Sequence, residues 1–172
     1  MNEKLRMIRR VSNRLAGVLA VLLSVIIPAS FYISQKGARV TALGVFAVGV
    51  VGGVVGLQRR LKQMSDDDLT LLANSWVYVC LSPLVGGVLA VVTYILFLSK
   101  MLQGQIFPHF VPDDPSNPDI GLRVLFAVHP ATGADYGKAL LWGFVAGFSE
   151  RFATDIISRF ESNAASEKKK GA

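Results

Sequence analysis

The residues with the richest chemistry lie near the C-terminal end, where Ser149, Glu150, Arg151, Asp155 and Arg159 follow a run of apolar and aromatic residues. On a helix, Arg151 with Asp155 and Asp155 with Arg159 are each four residues apart, so opposite charges stack along one face and neutralise each other. Ser158 shares that side with Ser149, Glu150 stands at its edge, and Phe148, Phe152, Ile156 and Phe160 recur at helical spacing on another. Such a strip has two readings. It is either an intramembrane polar network that fixes helix register or lines a polar path, or the charged last turns of an amphipathic helix leaving a membrane.

Other candidates for reaction chemistry fail on spacing. Gly147-Phe148-Ser149-Glu150-Arg151 lacks the second glycine of a nucleophile elbow and sits in a helical pattern, not at a strand-to-helix turn. His109 and His129 share a segment with Asp113, Asp114 and Asp119, but without the ligand spacing of a known metal site. Asp66, Asp67 and Asp68 point in different directions on a helix; after Ser65 they have the chemistry of a helix start, a capping hydroxyl followed by carboxylates at the positive end of the dipole. Cys80 has no cysteine partner and reads as a small packing residue. The glycine pairs lie inside apolar runs and not between a strand and a helix, so they do not form a phosphate loop. These patterns predict a protein that is not an enzyme and uses no cofactor or metal.

The elements that position these residues are set by hydropathy. Of the 172 residues, 52% are hydrophobic and only 17% charged. A helix crosses the ~30 Å hydrocarbon layer with about 20 apolar residues, and soluble core helices seldom run that long without a charge. Leu15 to Ile33, Val40 to Leu57 and Leu69 to Ser99 are uncharged throughout and are predicted as the first three spans. A fourth helix is expected from about Tyr136 to Phe160, capped by Asp135, as a span over 137–160. Only Ala139 to Phe148 is free of charge there, so full crossing competes with partial insertion; the paired charges favour crossing. The predicted architecture is an all-α integral membrane bundle of about four transmembrane helices, forming one domain over 15–160. Segment 100–136 is its outer loop, where Pro108, Pro112, Pro115 and Pro118 exclude a continuous helix. Leu122 to Val128, inside that loop, is ambiguous between a strand, a buried loop and an interfacial segment.

Charge orients the bundle. Lys4, Arg6, Arg9, Arg10 and Arg14 make residues 1–14 a basic tail, Arg59, Arg60 and Lys62 follow the second span, and Lys168, Lys169 and Lys170 close a polar, flexible tail over 161–172. An even number of spans places all three groups on the cytoplasmic side, as the excess of cations on that side requires. The apolar part of the first run exceeds the core of a signal peptide, so it is read as a retained anchor. The net charge of +6 sits at membrane boundaries and is not interleaved with exposed aromatics, which excludes nucleic acid as the expected partner and points to the lipid bilayer.

In lipid, helices associate where small residues let their backbones approach. Gly49 with Gly53 and Gly52 with Gly56 are two overlapping pairs four apart; Ser82, Gly86 and Ala90 repeat the spacing, as do Ala139, Gly143 and Gly147. These faces serve either packing within the bundle or self-association into a homo-oligomer or a larger membrane complex.

The segment Trp142, Gly143, Phe144, Ala146-Gly147-Phe148-Ser149-Glu150-Arg151-Phe152 with Asp155 resembles uncharacterised bacterial multi-pass membrane proteins, those termed YEATS-associated helix-containing proteins. The resemblance covers about a tenth of the chain. It implies a bacterial inner-membrane protein working beside a ligand-sensing partner in signalling or defence. The chain has no room for a YEATS domain of its own. The expected function is thus a non-enzymatic membrane component, with a small oligomeric channel or pore-forming effector as the alternative.

Overall fold

The computed structural model describes residues 2–35, 40–112 and 127–149. Among these, five helices and a two-stranded ribbon follow in the order α1 (Asn2–Gln35), α2 (Thr41–Leu61), α3 (Asp66–Asn74), α4 (Trp76–Leu98), β1 (Phe110–Pro112), β2 (Val128–Pro130) and α5 (Gly133–Phe148). The protein is an all-α helical bundle. Three of its helices, α1, α2 and α4, are long and apolar enough to cross a membrane.

The bundle is built around α2. It packs on both α4 and α5, which also touch each other. Gly49 opposes Gly86 while Gly53 opposes Ser82, so α4 runs antiparallel to α2; Gly143 opposes Val45 while Gly147 opposes Gly49, so α5 runs parallel to it. Two side-chain cores result. One gathers Ala42, Val45, Ala90, Tyr94 and Ala139 near the ribbon. The other gathers Val11, Leu15, Val54, Leu57, Leu61, Leu69, Leu72, Ala73 and Val79 at the opposite end. Between them the three helices meet backbone to backbone.

Three predicted boundaries move. Residues 2–14, expected as a basic tail, are the first turns of α1, and Val11 is buried. Met7, Ile8, Val11 and Leu15 recur at helical spacing and pack against α2 and α3, so the helix continues as far as it has a surface to cover. The uncharged run 69–99 is not one helix. Ser75 is extended, with its N–H bonded to the Leu71 carbonyl, and separates α3 from α4. Charge alone could not show this break, since Asn74 and Ser75 are neutral and leave the uncharged run unbroken. Finally, the last described helix ends at Phe148, where Ser149 is extended, and residues 150–160 of the expected span lie outside the described residues. Its 16 residues make about 24 Å, short of the ~30 Å hydrocarbon layer. The charge-free stretch that packs against α2 ends at the same residue, and packing is what sustains short helices.

Two helices, α3 and α5, are capped by a hydroxyl side chain, whereas Ser75 ahead of α4 makes no side-chain cap. Ser65 Oγ accepts from the Asp68 N–H at 3.2 Å, as its sequence context predicts. In α5 the cap is Thr132 and not Asp135: Thr132 Oγ1 accepts from the Asp135 N–H at 3.1 Å, and Asp135 takes the third helical position. The Thr132 hydroxyl in turn donates to Asp135 Oδ2 at 2.7 Å, so the two side chains hold each other at the helix start.

Candidate functional site: a glycine-packed helix junction

At the junction of α2, α4 and α5, glycines stand where any side chain would collide with a neighbouring backbone. A Cβ at Gly52 would lie 2.5 Å from the Phe144 carbonyl oxygen and 2.7 Å from the Phe148 nitrogen, both on α5. One at Gly53 would meet the Ser82 carbonyl of α4 at 2.7 Å, and one at Gly56 the Phe148 carbonyl at 2.8 Å. From the other side, a Cβ at Gly86 would sit 2.6 Å from the Gly49 carbonyl, and one at Gly147 would overlap that same carbonyl. Gly49 itself faces Gly86 and Ala90, and Gly143 receives Val45. The two overlapping pairs of α2 thus divide their work, with Gly49 and Gly53 against α4 and Gly52 and Gly56 against α5.

This geometry decides between the two sequence readings of the glycine faces. Gly49, Gly52, Gly53, Gly56, Gly86, Gly143 and Gly147 are occupied by packing within the chain, so they are not free faces for a second copy. Gly87 belongs to the same junction and escaped sequence analysis: the Phe46 ring lies where its side chain would be. Phe46 stands on α2 three residues before Gly49, and no spacing rule within one helix reads a contact with a glycine on another. Pro83 lies in α4 without ending it and packs its Cα against Gly53.

At the ribbon end, one carboxylate organises the loop. Asp135 is buried; it accepts from Thr132 Oγ1 at 2.7 Å, from the His109 backbone N–H at 3.2 Å and from Lys138 Nζ at 3.2 Å. The Thr132 hydrogen bond contributes most to lowering its pKa to about 2, with the His109 amide and Lys138 adding to it against the cost of burial. His109 therefore takes part through its backbone, not its imidazole. Beside it, Trp142 Nε1 donates to the Ile106 carbonyl at 2.9 Å, and Phe97, Phe107 and Trp142 form an aromatic cluster with ring centroids 5.3 to 6.5 Å apart. These contacts tie residues 104–110 onto α4 and α5. The arrangement can hold a loop in place; its polar atoms are spent on each other.

Of the predicted polar network, Ser149 is described and is half-buried at the end of α5. Glu150, Arg151, Asp155 and Arg159 lie outside the described residues, as do Asp113, Asp114, Asp119, residues 122–126 and the tail 161–172. Just before them, Phe144 and Phe148 stack at 5.9 Å, and Arg59 stands 5.8 Å over the Phe148 ring, bringing the basic end of α2 to the end of α5. The chain matches no protein-family model, no curated protein and no solved structure.

Proposed function

We propose that this protein is a non-enzymatic, multi-pass component of a bacterial cytoplasmic membrane, in which α2, α4 and α5 form a rigid unit and α1 is an arm that meets lipid or a partner helix. The observation that carries the reading is the contrast along α1. Val11 and Leu15 are buried, but beyond Leu22 no described side chain of α1 is buried, and Val21, Val25, Ile27, Phe31 and Tyr32 are exposed. A long apolar surface on one side of a locked bundle is suited to lateral association in a bilayer.

The distribution of charge supports an orientation with the N-terminus in the cytoplasm. Lys4 pairs with Asp66 at 3.0 Å, so the basic start of α1, the α2–α3 link and Arg59 and Arg60 lie at one end. The resemblance of the Trp142–Phe152 segment favours a place in a signalling or defence complex. A pore within one copy is disfavoured by the junction itself, where the Gly49 carbonyl meets both Gly86 and Gly147 and leaves no width for water.

Liposomes containing the purified full-length chain test the reading. They are expected to hold an ion gradient as well as empty liposomes do. Leakage that Glu150→Ala or Arg151→Ala abolishes would replace the component with a channel.

A further inference from the structure

Two facing strips between α1 and α4 change character at the same level. On α1, Arg6, Arg9, Arg10 and Arg14 recur at helical spacing and are followed by Gly17, Val18, Val21 and Leu22. On α4, Trp76, Cys80 and Leu84 are spaced four apart on the face opposite. The lower part of the intervening space, about 520 Å³, is lined by the four arginines with Asn13 and Trp76. The upper part, about 450 Å³, is almost wholly apolar and is lined by Gly17, Val21, Leu22, Cys80 and Leu84. Gly17 and Trp76 border both, so the two are one continuous cleft.

The arginines are not equivalent. Arg14 is committed, since its guanidinium donates to the Ala73 carbonyl at the end of α3 and lies 5.1 Å over the Trp76 ring. Arg6, Arg9 and Arg10 are exposed, and no described carboxylate pairs with them; Lys4 takes Asp66 instead. Guanidinium groups bind phosphate through paired N–H donors, and Trp side chains favour the level where headgroup meets acyl chain. The order along the cleft is cation, tryptophan, apolar wall. That is the order of a phospholipid read from phosphate through glycerol to acyl chain.

The geometry points to a binding site for one anionic phospholipid, its phosphate on Arg6, Arg9 and Arg10 and an acyl chain between Gly17 to Leu22 of α1 and Trp76 to Leu84 of α4. Along α4 the apolar wall runs about 12 Å, enough for the first part of a chain before it joins the bilayer. A second copy of the chain fits the cleft less well, because it would have to bring an acidic and then an apolar surface in the same register. The inference needs residence in a membrane and does not depend on the proposed role in a complex.

Delipidated full-length protein in mild detergent, given phosphatidylglycerol or phosphatidylcholine with the same acyl chains, tests the site by native mass spectrometry. One phosphatidylglycerol per chain is expected, retained about tenfold better than phosphatidylcholine. Arg9→Gln with Arg10→Gln should bring the two lipids level. Gly17→Trp should abolish retention while leaving all the cations in place, because a Cβ at Gly17 meets nothing within 4 Å and the ring can occupy the cleft. Should that variant not fold, maleimide labelling of the native Cys80 serves: phosphatidylglycerol should slow it and inorganic phosphate should not. Equal retention of both lipids by the wild type, undiminished binding by Gly17→Trp, protection by phosphate alone, or a Cys80-to-Cys80 cross-link between copies would each overturn the site.

Discussion

Gly49 and Gly17 are the same residue in two apolar helices, and the molecule uses them in opposite ways. Around Gly49 three backbones converge until the carbonyl of one helix occupies the place of a side chain on the next; around Gly17 there is open space. The difference separates a part whose shape is set by close contact, α2 with α4 and α5, from a part held at one end only, α1. In lipid, apolar side chains gain little by leaving one apolar neighbour for another, so rigidity comes from contact distance and not from hydrophobicity. Hydropathy cannot see that distinction: α1 and α4 are about equally apolar, with mean hydropathy of 2.3 and 2.2 over their most apolar stretches, yet 0% of the first stretch and 39% of the second is buried.

The sharpest break of this comparison is Gly147→Val. Its new Cβ and branch would overlap the Gly49 backbone, and the variant is expected to lose about 3 kcal/mol or more, or to fail to fold, in thermal unfolding in detergent. Gly52→Ala adds a single carbon against the Phe144 carbonyl and should cost about 1–3 kcal/mol by the same measurement. A Gly52→Ala protein as stable as the wild type would mean that the junction is loose. At the ribbon end, Thr132→Ala removes the cap of α5 and should cost about 1 kcal/mol.

Acid probes the same end. With its pKa lowered from 3.8 to about 2, Asp135 binds a proton less readily folded than unfolded. Its contribution is therefore complete above about pH 4 and disappears as pH falls toward 2. Wild type and Asp135→Asn should differ in stability at neutral pH and converge near pH 2. The smallest effect belongs to α1. Gly17→Ala should leave stability unchanged or raise it by about 0.5–1 kcal/mol, since it adds helix propensity where nothing collides. A large loss there would show that α1 is as tightly held as the other three.

How much was legible depends on what each feature rests on. The apolar runs of α1, α2 and α4, the Ser65 cap and the spacing of Gly49, Gly52, Gly53 and Gly56 are local properties, and each appears where the pattern puts it. The division of the third run at Ser75, the stop at Phe148 and the transfer of the α5 cap from Asp135 to Thr132 were not legible. At the start of α5 Asp135 was read by its charge, while the chain used the Thr132 hydroxyl; at Ser75 and Phe148 the backbone changes direction within or beside a neutral run, which hydropathy does not register. Arg14 shows the same limit, since its place in a run of cations hides that it closes α3 and covers Trp76.

By itself, the sequence determined that this is a helical protein with runs long and apolar enough to cross a membrane, and which helix faces have small residues, because both follow from residue type at a fixed helical period. Tertiary structure alone decided that those faces close on each other inside one chain, and that a cation-to-apolar cleft lies between α1 and α4. A helix face has no address. Which surface meets it depends on the direction and separation of segments far apart in the chain, and those are set by the sum of all their contacts at once.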